Sequence, residues 1–279
     1  FFGFKISIRV YKKQIKDDEA LVSYPIEKII IKQKKDLIIQ ELISFLKLSG
    51  LKYNKSKLKE YIDEFDDVFV KSPVKEHESG FGYNEGLFFY TILKIINPEL
   101  VIESGVMKGF TTYLIHSATN NNCQILSYDI NFDNKIFSSY KAKYVNSDIS
   151  DEIPLIKDRK TVALWDDHTS QLDRLKFSQK HKIEYNFFDD DLSLLNIHSD
   201  GWPPIPTISM LKEIKKNKIN TETLSWISRQ RKGIAYTKSF GETNELERIK
   251  FHKIFPQLFP ITGYQNHSQC SLVINKVIR

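Results

Sequence analysis

Cysteine, methionine and tryptophan are scarce in this 279-residue chain, at two, two and three copies. The two cysteines, Cys123 and Cys270, stand far apart and form no C-x-x-C. That argues against a disulfide framework or a structural zinc site and suits a reducing, cytoplasmic setting. No apolar run approaches the roughly 20 residues that cross a bilayer. The opening "FFGFKISIRVYKK" is broken by charge too soon to be a complete signal peptide. Phosphate-gripping motifs are missing too: the chain has neither G-x-G-x-x-G nor G-x-x-x-x-G-K-[ST]. There is no internal repeat. The basic residues are not interleaved with an aromatic reading platform, which weighs against nucleic acid as a partner.

What is present is an ordinary globular balance, 41% hydrophobic and 27% charged, with length enough for a sizeable core. The net charge of +6 is unevenly placed. Residues 1–60 carry 14 Lys and Arg against 7 Asp and Glu, whereas residues 61–279 carry 27 against 28. The basic N-terminal segment reads first as solvated helix faces. A peripheral contact with an anionic surface, or self-association into a homo-oligomer, stays open.

Two textures divide the chain. In residues 1–79 the spacing predicts helices over "KKDLIIQELISFLKLSG", stopped by Gly50, and "KSKLKEYIDEFDDVF", followed by a loop with Pro73. "NEGLFFYTILKIINPE" resumes helical spacing with Asn84 as the expected N-cap. From residue 99 short apolar runs alternate with helical stretches. "LVIES", "QILSYDI", "TVALWDD" and "IEYNFFDDD" each run into acids, and "GFTTYLIHSATN" and "TSQLDRLKFSQKH" lie among them. This predicts an α/β fold: a doubly wound, mostly parallel sheet over residues 80–279, with a helical N-terminal extension. "ITGYQNHSQCSLVINKV" is expected to close it as an antiparallel hairpin turning near Gln265–Ser268.

In such sheets ligands gather at strand carboxyl ends, where these acids fall. "VIESGVMKGF" has the form E-x-G-x-x-x-G: Glu103 offers a carboxylate, and Gly105 and Gly109 let backbone pass close to a ligand. Asp129, one βαβ step on, is placed to take both ribose hydroxyls, and Asp148 to meet an adenine amine. Without a pyrophosphate cradle, the set suits an adenosine with no phosphate. The plain alternative is that the acids cap helices and the glycines serve close packing.

"VIESGVMKGFTTYLI" followed by "SYD" resembles the cofactor region of class I S-adenosylmethionine-dependent methyltransferases, and is most similar to the macrocin O-methyltransferase and cephalosporin hydroxylase group. Met107 stands where that group usually has an aromatic residue. The resemblance covers roughly residues 80–280 and implies a Rossmann-like sheet, S-adenosylmethionine as cofactor and methyl transfer to a hydroxyl. Tyr83, Asn84 and Glu85 then become candidates for the methionine end of the cofactor.

Two further acidic strand ends bear on the chemistry. Asp166, Asp167 and His168 should neighbour Asp189, Asp190 and Asp191, and so many carboxylates repel unless protonated or neutralised. Hard oxygen ligands suit Mg²⁺. The resemblance implies Asp167 as one metal ligand and Asp189 with Asp190 as the others, with Asp166 and Asp191 as alternatives. His168 is the alternative base, since an imidazole titrates near neutral pH. Arg174 either binds an acidic substrate or pairs with Asp173. In "NIHSDGWPPIPT", Trp202 offers a flat face for sugar C–H groups, and His198 and Asp200 can bond hydroxyls. The favoured acceptor is therefore a saccharide hydroxyl. A phenolic or natural-product hydroxyl, a nicotinamide-dependent oxidoreductase and a non-catalytic module are the other readings.

Overall fold

The computed structural model describes residues 24–74, 81–151, 159–195, 204–228, 234–241 and 243–276. Among these residues nine strands are interspersed with helices. In chain order they are α1 (Tyr24–Ser49), α2 (Lys55–Lys71), α3 (Tyr83–Ile96), β1 (Leu100–Ser104), α4 (Phe110–Ala118), β2 (Gln124–Tyr128) and β3 (Ala142–Val145). Then follow β4 (Thr161–Trp165), α5 (Gln171–Lys180), β5 (Tyr185–Phe188), α6 (Ile208–Lys216), β6 (Thr223–Ser228), β7 (Ile234–Ser239), β8 (Ile249–Ile254), α7 (Phe259–Thr262) and β9 (Ser271–Asn275).

Seven strands make one sheet in the order β3-β2-β1-β4-β5-β9-β8. β1 to β5 pair in parallel, while β9 runs antiparallel to both β5 and β8. This is a Rossmann-like, doubly wound sheet. The chain reverses its winding between β1 and β4, the crevice where ligands bind in such folds.

The apolar runs are continuous because both sheet faces are covered and alternate residues point to opposite sides. Val101, Val162, Leu164, Phe187, Leu272 and Ile274 pack into one core with Leu42, Phe45, Ile62 and Phe65 of α1 and α2 and with much of α3. Leu100, Ile102, Ala163, Trp165, Phe188 and Val273 point the other way, onto Leu172 and Leu175 of α5 and Ile208 and Leu211 of α6. Helices α1 and α2 thus share the sheet's own core.

Three local expectations change. Helix α3 is capped by Gly82, and Asn84 lies inside its first turn. The closing antiparallel pair is β8 with β9; the first strand is "IKFHKI", and residues 259–262 are a short helix begun by Phe259 and Pro260. A separate hairpin, β6 with β7, carries Trp226 stacked on Tyr236 at 5.6 Å. No helix among the described residues is long and apolar enough to cross a membrane.

Candidate active site

Glu103 ends β1 but does not face the cleft. It is fully buried and accepts hydroxyl hydrogen bonds from Thr111 (2.6 Å), Thr112 (2.8 Å) and Ser127 (2.6 Å). Burial pushes its carboxyl above the usual range, against the pull of those three hydroxyls. Its role is to tie the first turn of α4 to β2. The two glycines also serve close packing. A Cβ on Gly105 would lie 1.9 Å from the Asp166 carbonyl oxygen, and one on Gly109 2.7 Å from that of Phe137. Both have positive φ, +90° and +86°.

Asp129 does face the cleft, after first completing the β1 turn. Its Oδ2 accepts the Val106 and Met107 N–H groups at 2.8 and 3.0 Å, and Oδ1 accepts that of Asn131 at 3.0 Å. The amides that a phosphate would need are therefore already donated to a carboxylate. Beside Asp129, the large apolar side chains Ile130 and Met107 stand 80% and 57% exposed on the cleft rim, a surface suited to a flat base. Ser147 Oγ, also in the wall, is buried with no partner among the described residues. Spare acceptor capacity on Asp129, apolar rim residues and an orphaned hydroxyl fit an adenosine without phosphate.

Asp148 lines the same wall but is held by Arg174, with Nη2 2.5 Å from its Oδ2. Against the upward push of burial, that contact and the Ser150 N–H hold the Asp148 carboxyl down at about 2. Arg174 does not pair with Asp173. Its Nε instead donates to Asp167 Oδ2 at 2.8 Å, and the same oxygen accepts the Ser104 hydroxyl. Oδ2 of Asp167, one of the expected metal ligands, is thus already ion-paired and hydrogen-bonded.

Asp166 faces Asp189 and Asp190. Desolvation, then the charge of Asp190, drives the Asp166 carboxyl well up; desolvation, then the charge of Asp166, does the same for Asp189. Ser268 Oγ donates to Asp189 Oδ1. Asp190 has φ +52° and lies 3.9 Å from Nδ1 of His168, which lines the cleft from β4. Among the described residues no three His, Cys, Asp or Glu side chains already converge as a metal-holding group. The chemistry of Asp166, Asp189 and Asp190 nonetheless suits a hard cation. Asp191 belongs elsewhere: fully buried, it accepts from Ser209 N–H at 2.8 Å and contacts His252 Nε2 at 2.6 Å.

Asn84 and Glu85 are buried and do not line the cleft. They clamp the loop before β9. Asn84 Nδ2 donates to the Tyr264 carbonyl (2.7 Å) and to Asn266 Oδ1 (2.8 Å), while the Tyr83 ring stacks on Tyr264 at 4.4 Å. Gly82 donates its N–H to Glu85 Oε2 at 3.0 Å. A Cβ on Gly82 would stand 3.0 Å from the His267 ring. The clamped loop brings His267 and Ser268 into the cleft opposite His168, a pair the sequence did not single out because no motif marks them. His198, Asp200 and Trp202 lie outside the described residues.

These walls enclose about 1230 Å³ at the carboxyl ends of β1, β2, β4 and β5. A cleft roomy enough for a nucleoside and a second small molecule, at the switch point of a doubly wound sheet, with carboxylates on its rim and its turn amides already occupied, is the site this fold defines. No family model matches the sequence, nor does any curated protein. Among solved structures, ligand-free CmcI aligns at 15% identity over 38% of this chain and 52% of its own, with a TM-score of 0.33. The chain thus spans about half the length of that CmcI chain. An O-methyltransferase from Bacillus cereus in complex with S-adenosylhomocysteine aligns at 8% identity over 83% and 96% of the two chains, TM-score 0.38. The O-methyltransferase TomG from Streptomyces achromogenes, involved in tomaymycin synthesis and bound to S-adenosylmethionine, gives 8%, 84%, 95% and 0.38. Likenesses this loose carry no argument; the fold and the site stand on their own geometry.

Proposed function

We propose that the protein is an S-adenosylmethionine-dependent O-methyltransferase whose acceptor is a hydroxyl of a sugar or glycan. One observation carries the reading: Asp129 occupies the turn amides that would otherwise cradle phosphate, while exposed Ile130 and Met107 border the cleft. Asp129 takes the ribose hydroxyls, and the exposed edge of Asp148 takes the adenine amine. The polar far end, with His168, Asp190, His267 and Ser268, suits a polyhydroxylated acceptor.

The transfer is an in-line attack of the acceptor oxygen on the sulfonium methyl. It requires alignment and a destination for the hydroxyl proton. His168, on the rim beside Asp190, is the base. Asp167, pinned by Arg174, holds the start of the loop that carries it. A divalent ion such as Mg²⁺, when bound, would be held by Asp166, Asp189 and Asp190 and would orient the acceptor oxygens and lower the hydroxyl pKa. The two cysteines are free and buried, in keeping with a cytoplasmic location. We take residues 80–279 as the catalytic part and residues 1–79 as a basic extension whose α1 and α2 brace it.

Calorimetric titration tests the class. S-adenosylhomocysteine should bind in the micromolar range and NAD(H) should not; tight NAD(H) binding with none of S-adenosylhomocysteine overturns the reading. Methyl transfer to a panel of saccharides and phenols then tests the acceptor, and transfer to phenols alone excludes the sugar.

A further inference from the structure

Arg174 is 2% exposed and spends all three guanidinium nitrogens on two separate loops. Toward the loop after β4 it donates from Nε to Asp167 (2.8 Å) and from Nη2 to Thr169 Oγ1 (3.2 Å). Toward the loop after β3 it donates from Nη2 and Nη1 to the two oxygens of Asp148 (2.5 and 3.2 Å) and from Nη1 to Ser150 Oγ (3.1 Å). Its guanidinium carbon lies 5.7 Å from the Trp165 ring centre, at the end of β4.

The sheet cannot make this connection. β3 and β4 are separated by β2 and β1, so three strand spacings of about 4.8 Å lie between their ends. The planar fork of Arg suits the task, because it holds two carboxylates at fixed angles where an ammonium would act as a single point charge. Asp148 and Asp167 both line the cleft, and Asp167 adjoins Asp166 in the chain. The backbone amides follow the same pairing: Ser150 N–H donates to Asp148 Oδ1 (2.7 Å) and Thr169 N–H to Asp167 Oδ1 (3.1 Å).

We propose that Arg174 is a positioning residue for the cofactor: by bracing the β3 and β4 loops against each other it fixes the width of the base slot and presents Asp148 to the amine of the base. This rests on the methyltransferase reading for the identity of the ligand, but the brace itself does not.

The test compares wild type with Arg174→Met and Arg174→Lys. Titration with S-adenosylhomocysteine and with S-inosylhomocysteine, which lacks the amine, reads the slot. Wild type should prefer the amine-bearing ligand. In Arg174→Met the affinity should fall about tenfold or more and the preference should shrink toward one, with Arg174→Lys recovering only part of either. Methylguanidinium added to Arg174→Ala should restore binding, a rescue that a purely structural loss does not show. Hydrogen exchange on the ligand-free protein reads the brace alone, and the Ser150 and Thr169 amides should lose protection together. Folded variants with wild-type affinity, preference and exchange overturn the proposal. Should wild type bind neither ligand, the methyltransferase reading fails, and exchange decides for the brace: joint loss at the two amides sustains it, and loss at one or neither overturns it.

Discussion

Gly105 and Asp166 meet backbone to backbone, close enough that a Cβ on the glycine would lie 1.9 Å from the aspartate carbonyl oxygen. Asp166 N–H in turn donates to the Ser104 carbonyl at 2.8 Å, so the ends of β1 and β4 are locked together where the cleft opens. Gly105→Ala meets both this contact and a φ of +90°. It should cost about 2–4 kcal/mol of stability in urea unfolding, and the folded fraction should lose cofactor affinity. An unchanged unfolding midpoint would show that the strand ends can separate freely.

Glu103 and Asp129, both read at first as cofactor ligands, should now behave differently. Glu103→Gln should leave S-adenosylhomocysteine affinity per folded molecule within about twofold, since among the described residues its carboxylate is hydrogen-bonded by Thr111, Thr112 and Ser127 and faces away from the cleft. Asp129→Ala should weaken it more than tenfold by removing a ribose acceptor and freeing the Val106 and Met107 amides. Equal losses in calorimetry would return Glu103 to the cleft.

The acid limb of stability should depend on Asp148. Its carboxyl is held at about 2 in the fold against 3.8 as a free side chain, so the folded state binds the proton less tightly than the unfolded one. The resulting stabilisation is full above about pH 4 and disappears as pH falls through 2. Glu103, Asp166 and Asp189 are shifted upward and act with the opposite sign. The informative quantity is therefore the difference between wild type and Asp148→Asn, which should shrink across that window.

Asp191 is fully buried against His252. His252→Ala leaves an enclosed carboxylate without its partner and should cost about 3–5 kcal/mol in denaturant unfolding. A loss below about 1 kcal/mol would mean that the Ser209 N–H suffices to hold the charge.

Mg²⁺ titration followed by calorimetry separates the two neighbouring aspartates. Asp166→Asn and Asp190→Asn should abolish the binding heat, while Asp167→Asn, whose carboxylate already faces Arg174, should retain it. Loss confined to Asp167→Asn would restore that residue to the ligand set.

Much of the fold was legible because a two-sided parallel sheet writes itself as uninterrupted apolar runs: "LVIES" coincides with β1 residue for residue, and "TVALWDD" contains β4. β8 was not legible. It lies at the sheet edge, its side chains are half-buried or exposed without strict alternation, and two lysines and a histidine interrupt its apolar residues. Chain order also fixed which acids end which strands. It could not assign their work, because a carboxylate's role depends on what stands within 3 Å of it. Glu103 meets three hydroxyls and turns inward, Asp129 meets three backbone amides and caps a turn, and Asp148 and Asp167 meet Arg174, 26 and 7 residues away in the chain. The sequence by itself determined the sheet, the acidic strand ends and the missing phosphate cradle. Only the tertiary structure divided those acids between structure and site, since charges distant in sequence find their partners only when the strands lie side by side.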